Sequence, residues 1–166
     1  MPNQVTSELE TWQVRIGETA RGFIQGIDFL SDEQRKENIL VESQKIQSRC
    51  SNPNKSVSRK SILVLGEVQS GKTLSFTSVI ALARDNEIPI TILLAGTKRP
   101  LMKQNYEQLV KDLNRNSSGS APQWFITNNT KNDVKEAVIE SLKSWFNPNT
   151  PSQFKKAIVI ASMKTP

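Results

Sequence analysis

The sequence contains no histidine. Imidazole is the side chain that titrates nearest neutrality, and it is the commonest zinc ligand. Within this chain, histidine acid–base chemistry, Ser-His-Asp triads and imidazole-based zinc sites are therefore excluded. Cys50 is the only cysteine, so no internal disulfide can form, which fits a cytoplasmic setting. No apolar run reaches the roughly 18 residues that a membrane-spanning helix needs. The opening stretch MPNQVTSELETW has neither the basic region nor the apolar region of a secretory leader. Hydrophobic residues make up only 36% of the chain, which leaves room for a polar or loosely packed part beside one ordinary core.

What is abundant is positive charge. The formal net charge is +6 over 166 residues, with small clusters at Lys55–Lys60, Lys98–Lys103 and Lys155–Lys156. A basic balance favours polyanionic partners, because phosphate backbones bind Lys and Arg by releasing counterions. The same charge also serves plain solubility.

The first 50 residues read as helical. Leu9, Trp12, Ile16, Ala20, Phe23, Ile24 and Ile27 recur at spacings of three and four, interrupted by Gly17, Gly22 and Gly26. Ser31-Asp32-Glu33-Gln34 has the form of a capping box, with Ser31 as N-cap, and predicts a helix to about Arg49 with Ile39, Ile46 and Cys50 on one face. The polar run CSNPNKSVSRK then ends that helix, and 51–60 reads as a linker.

From Ser61 the rhythm changes to apolar runs alternating with helical periods. Ile62-Leu63-Val64-Leu65, ITILLA at 90–95, Trp124–Thr127 and AIVIA at 157–161 read as strands, the apolar runs as strands buried on both faces. Helices are expected at 72–84, 100–114 and 133–146. This alternation predicts a layered α/β fold with a mostly parallel sheet.

Between the first of these strands and its helix lies GEVQSGKT, Gly66 to Thr73, which fits G-x-x-x-x-G-K-[ST]. Such a loop needs glycines so that its backbone N–H groups can turn inward on phosphate oxygens, a lysine, and a helix N-terminus behind them. Lys72 would meet the β- and γ-phosphates of ATP, and the Thr73 hydroxyl would hold Mg2+. Gly66, Gln69, Ser70, Gly71 and Leu74 complete the candidate nucleotide-binding set. Gln69 is open to a ligand or a surface role, and Ser70 qualifies chiefly by being small. A second basic, amide-bearing stretch follows the second strand, with Thr97, Lys98, Arg99 and Gln104 as candidate nucleic-acid contacts.

GEVQSGKT, a helix, an apolar strand ending in LAGT, then L-x-x-Q at Leu101–Gln104 together resemble the first RecA-like lobe of superfamily 2 helicases and translocases. VQSGKT with LAGT is especially similar to the Z-one domain proteins, an endonuclease-associated group. ASMKTP at the end of the chain resembles the strand and Thr-Pro motif of that lobe. The resemblance covers about 61–166. It implies a P-loop NTPase of three-layer α/β/α architecture, incomplete here, preceded by the helical segment. It further implies ATP and Mg2+ as cofactors, Lys72 as the catalytic lysine, a nucleic-acid partner (DNA ahead of RNA), further domains or partner subunits, and no membrane. The Thr97-to-Leu101 spacing is one residue longer than in DEAD-box members.

Hydrolysis also needs a carboxylate at the end of an apolar strand to hold the metal, and an arginine finger. No strand after Thr73 ends in Asp or Glu. On the resemblance, the chain reads as the N-terminal piece of a longer protein, ending before that acid and leaving apolar sheet surface uncovered. Two other readings remain. One is another P-loop protein, such as a small-molecule kinase or a regulatory NTPase; a kinase would carry arginines in a lid, whereas 128–156 contains none. A non-hydrolysing nucleotide-binding module would keep the cradle without turnover.

Overall fold

The computed structural model describes residues 11–27, 30–55, 59–65, 72–94, 98–114, 123–128 and 132–162. In chain order the elements are α1 (Glu18–Gln25), α2 (Glu33–Arg49), α3 (Lys72–Asp85), β1 (Ile90–Leu94), α4 (Arg99–Asn114), β2 (Trp124–Thr127), α5 (Asn132–Phe146), a 3-10 turn (Ser152–Phe154) and β3 (Ala157–Ser162). The class is α/β. The three strands form one parallel sheet in the order β1-β3-β2. Ile92 lies opposite Ile160, and Ile126 opposite Val159.

The sheet is held by its middle strand. AIVIA has no polar interruption, and Ala157, Ile158, Val159 and Ala161 are all buried. That is what a strand with neighbours on both edges and helices on both faces requires. The connections β1-α4-β2 and β2-α5-β3 run in opposite directions across the sheet. Helices α4 and α5 each pack on both β2 and β3.

One apolar cluster joins Ile80 of α3 and Leu109 and Leu113 of α4 to Trp124, Trp145, Ala157 and Val159. A second joins Val14, Ala20, Phe23, Ile24 and Leu40 to Ala81 and Leu82 of α3. Helix α3 thus stands between the sheet and the N-terminal helices. This position explains why it buries Thr77, Ser78, Ile80, Ala81, Leu82 and Ala83 nearly all round its last turns rather than on one stripe.

Several expectations are corrected. Residues 11–17 are not helical; Trp12 instead anchors them, donating its backbone N–H to the Ser48 carbonyl and its indole N–H to that of Cys50, both at 3.1 Å. The N-cap of α2 is Asp32, not Ser31: its carboxylate accepts the N–H groups of Gln34 and Arg35. Both residue types suit the position, and the carboxylate also gains from the helix dipole. The buried face of α2 is Leu40, Ser43 and Gln47, with Ile39 packed beside it.

The run Ser61–Leu65 forms no strand, and Leu63 and Leu65 are 83% and 86% exposed. Its apolar character states a need for burial but names no partner. Among the described residues, the sheet edges not already paired within the three strands are the outer edges of β1 and β2. Likewise β1 is not buried on both faces. It is an edge strand, with Ile92 and Leu94 each 61% exposed. Among the described residues no helix is long and apolar enough to cross a membrane.

Candidate nucleotide and nucleic-acid site

The phosphate-loop motif meets regular structure at Lys72. Lys72 and Thr73 are the first two residues of α3, and Leu74 is the third. The first N–H groups of a helix have no acceptor within it, and a helix of 14 residues aligns enough peptide dipoles to favour an anion at that end. The amides of Lys72, Thr73 and Leu74 belong to that set. The Leu74 side chain packs against the helical core, so its contribution to a ligand is its backbone. Gly66, Gln69, Ser70 and Gly71 lie outside the described residues, as does Thr97.

The orientation of α3 fixes where this helix start lies. From Asp85 the chain turns through Asn86–Pro89 into β1, so α3 runs down the sheet and β1 runs back up. Phe76 of α3 and Leu93 of β1 both pack on the sheet cluster. The opening turn of α3 therefore lies at the carboxyl end of β1. Helix α4 begins at the same end, five residues beyond Leu94. This is the edge of a parallel sheet where loops and helix N-termini converge on ligands.

The basic stretch lies exposed at the start of α4. Lys98 and Arg99 are exposed at the start of α4, and the Lys98 carbonyl accepts the Met102 N–H at 3.1 Å. Gln104 is exposed one turn later. Lys103 is exposed beside it and reaches Glu107 at 3.7 Å, a surface pair of little energetic weight. The opposite side of α4 is consumed by packing. Leu109 and Leu113 enter the sheet cluster, and the Tyr106 hydroxyl lies 3.4 Å from the Ile126 carbonyl, to which it donates. Lys98, Arg99 and Gln104 thus have no structural task in the core.

The structure separates the site into what it positions and what it does not. It brings the α3 start and the Lys98–Arg99 patch to one end of the sheet. It does not supply a paired strand ahead of the phosphate-loop motif, because Ser61–Leu65 is unpaired. Sequence reading missed a third cluster at the other end of α3, where Arg15, Arg84 and Lys155 converge on one cleft. These residues are 69 and 71 positions apart in sequence, so no local spacing marks them. Set against known protein families, curated proteins and solved structures, the chain matches none.

Proposed function

We propose that this chain is the ATP-binding part of an ATP-dependent nucleic-acid helicase or translocase of RecA-like type, nuclease-associated in the manner of Z-one-like proteins. The observation that carries this reading is the coincidence of GEVQSGKT with the first turn of α3. Lys72 and Thr73 of the motif open that helix, whose first N–H groups have no acceptor within it. In this reading Gly66–Leu74 surround the phosphates, Lys72 neutralises the terminal ones, and Thr73 holds Mg2+. Lys98, Arg99 and Gln104, with Thr97, bind the sugar–phosphate backbone, DNA ahead of RNA.

The chemistry assigned to this chain is binding rather than turnover. No carboxylate closes an apolar strand after Thr73, so the residues that would hold the metal and complete hydrolysis are not supplied here. Calorimetric titration with Mg-ATP tests the reading. The wild-type chain binds saturably, and Lys72→Ala loses that binding while its circular dichroism is unchanged. An affinity indifferent to Lys72→Ala ends the assignment.

A further inference from the structure

The two open edges of the sheet are not alike. In β2 the Gln123 carbonyl accepts the Ala157 N–H at 3.0 Å. Residues 123, 125 and 127 therefore turn their backbone groups to β3, and Trp124 and Ile126 turn theirs outward. That edge is covered. The Tyr106 hydroxyl donates to the Ile126 carbonyl at 3.4 Å, and Trp124 is buried with Arg84 over its ring. In β1 the Pro89 carbonyl accepts the Ile158 N–H at 2.8 Å. Residues 89, 91 and 93 therefore face β3, and Ile90, Ile92 and Leu94 present their N–H and C=O groups at the outer edge. Among the described residues, none bonds to them.

Edge strands are ordinarily kept from pairing by a charge, a proline or a bulge on the open side. Strand β1 has none of these. Its sequence ITILL carries no charged residue, and its register against β3 is unbroken from Ile90 to Leu94. Pro89 turns to β3 instead of outward. Ile92 and Leu94 are exposed on one face of the strand, while Leu93 packs on the sheet cluster on the other. Charge marks which strand fits beside it. Exposed Glu87 lies just before β1, and exposed Lys98 and Arg99 follow it at the start of α4. An antiparallel neighbour that starts from an acid and ends in cations meets opposite charge at both ends. Strand β1 of a second copy is such a neighbour.

We propose that the outer edge of β1 is a self-association surface, on which a second copy of this chain pairs its own β1 antiparallel about a two-fold axis at Ile92. In this register Ile92 lies opposite its counterpart, and Ile90 lies opposite Leu94. All three residues turn their backbone groups outward, so each facing pair exchanges two N–H···O=C bonds and no outward group is left over. The facing side chains are Ile with Ile and Ile with Leu, apolar pairs that support a sheet. A slip of one residue sets outward groups against residues that face β3 and loses the ladder. The contact uses the same patch on both copies, so it closes at a dimer. The joined sheet then ends on both sides in the covered edge of β2. Nothing in this surface depends on the nucleotide reading.

Analytical ultracentrifugation of the full chain reads the dimer, at up to about 1 mM protein because so small an interface is weak. The wild-type chain passes from monomer to dimer and stops there. Ile92→Lys sets like charges against each other at the axis and weakens the dimer by about tenfold, with circular dichroism unchanged. Cross-linking tests the register in chains that carry Cys50→Ser. Ile92→Cys oxidises to a covalent dimer, because facing Cα atoms of a hydrogen-bonded antiparallel pair lie about 5.5 Å apart, within disulfide reach. Leu94→Cys faces position 90 instead of itself and cross-links far more slowly. A chain that stays monomeric overturns the proposal, as it would if Ile62–Leu65 closed this edge from within. So does a dimer indifferent to Ile92→Lys, and so does equal cross-linking at positions 92 and 94.

Discussion

The Asp85 carboxylate closes over Gly17. Its Oδ2 accepts the Gly17 N–H at 3.0 Å and the Ala20 N–H at 2.9 Å, while Oδ1 accepts the Thr19 N–H at 3.1 Å. A Cβ at position 17 would stand 2.6 Å from Asp85 Cγ. The last residue of α3 thus serves as the N-terminal cap of α1, which has no side-chain cap of its own at Gly17. Gly17→Ala is expected to lower stability by about 1–3 kcal/mol through the clash. Asp85→Ala is expected to cost about 3 kcal/mol, because three amides lose their acceptor. The double variant should cost less than the sum, since removing the carboxylate frees the space that the added methyl group needs. Urea unfolding of the four proteins measures the cycle, and a Gly17→Ala protein as stable as wild type would refute the contact.

Leu63 and Leu65 decide between two views of the run before the phosphate-loop motif. A strand buried on both faces would lose about 2–5 kcal/mol when either leucine is truncated. The exposure of these side chains predicts a change within about 0.5 kcal/mol for Leu63→Ser or Leu65→Ser. The same substitutions should reduce self-association, because they remove exposed apolar surface. Chemical unfolding together with sedimentation velocity on each variant tests both statements. A large loss of stability would show that the run is packed after all.

Some of this was legible in the residues and some was not, for identifiable reasons. The stretch AIVIA was readable as a strand buried on both faces, because five consecutive apolar residues leave no polar face, and β3 is buried between two neighbours. Helices α4 and α5 were readable to within a residue, since their apolar stripes begin and end at segments rich in Pro, Asn and Ser. ITILLA was readable as a strand but not as an edge, because hydrophobicity does not encode which neighbours are present. The Asp85–Gly17 contact spans 68 positions and has no local period. One signal was there: an acid in the last turn of a helix opposes the helix dipole, and so asks for a compensating partner. In the candidate site, the motif marked the start of α3, and Pro100 marked the start of α4 to within a residue. The Arg84 cleft has no signature, because tertiary packing alone brings α3, α5 and β3 together.

The Lys98–Arg99 patch makes a claim about salt as well as affinity. Each lysine or arginine that neutralises a phosphate releases counterion, so each contributes about one unit to the slope of log affinity against log salt. Lys98→Ala and Arg99→Ala should each flatten that slope by about one unit and weaken binding of single strands regardless of base sequence. Lys45→Ala is the control, since Lys45 pairs with Glu42 on the exposed face of α2. Fluorescence anisotropy with a labelled DNA strand over a range of salt supplies the slopes. If Lys45→Ala changes the slope as much as Arg99→Ala does, the chain attracts DNA by net charge alone and the patch has no special role.

Cys50 tests the packing of the N-terminal helices from a different side. The thiol closes the end of α2, where its Sγ donates to the Ile46 carbonyl at 3.6 Å. Burial pushes its pKa above the ordinary thiol value, and the nearby Lys60 charge pulls it back only in part. The thiolate is the nucleophile, so a raised pKa means slower alkylation at mildly alkaline pH than for the same residue in unfolded chain. The linkage has a definite sign: the folded state holds the proton more tightly. This contribution to stability is therefore complete below the unfolded pKa and is lost as pH rises through the folded one. Iodoacetamide should modify the native protein more slowly than the urea-unfolded protein after correction for the reagent's own rate. Lys60→Ala should slow the native reaction further by removing the charge that favours thiolate. A native rate equal to the unfolded rate would mean that the Cys50 thiol is solvated rather than packed at the end of α2.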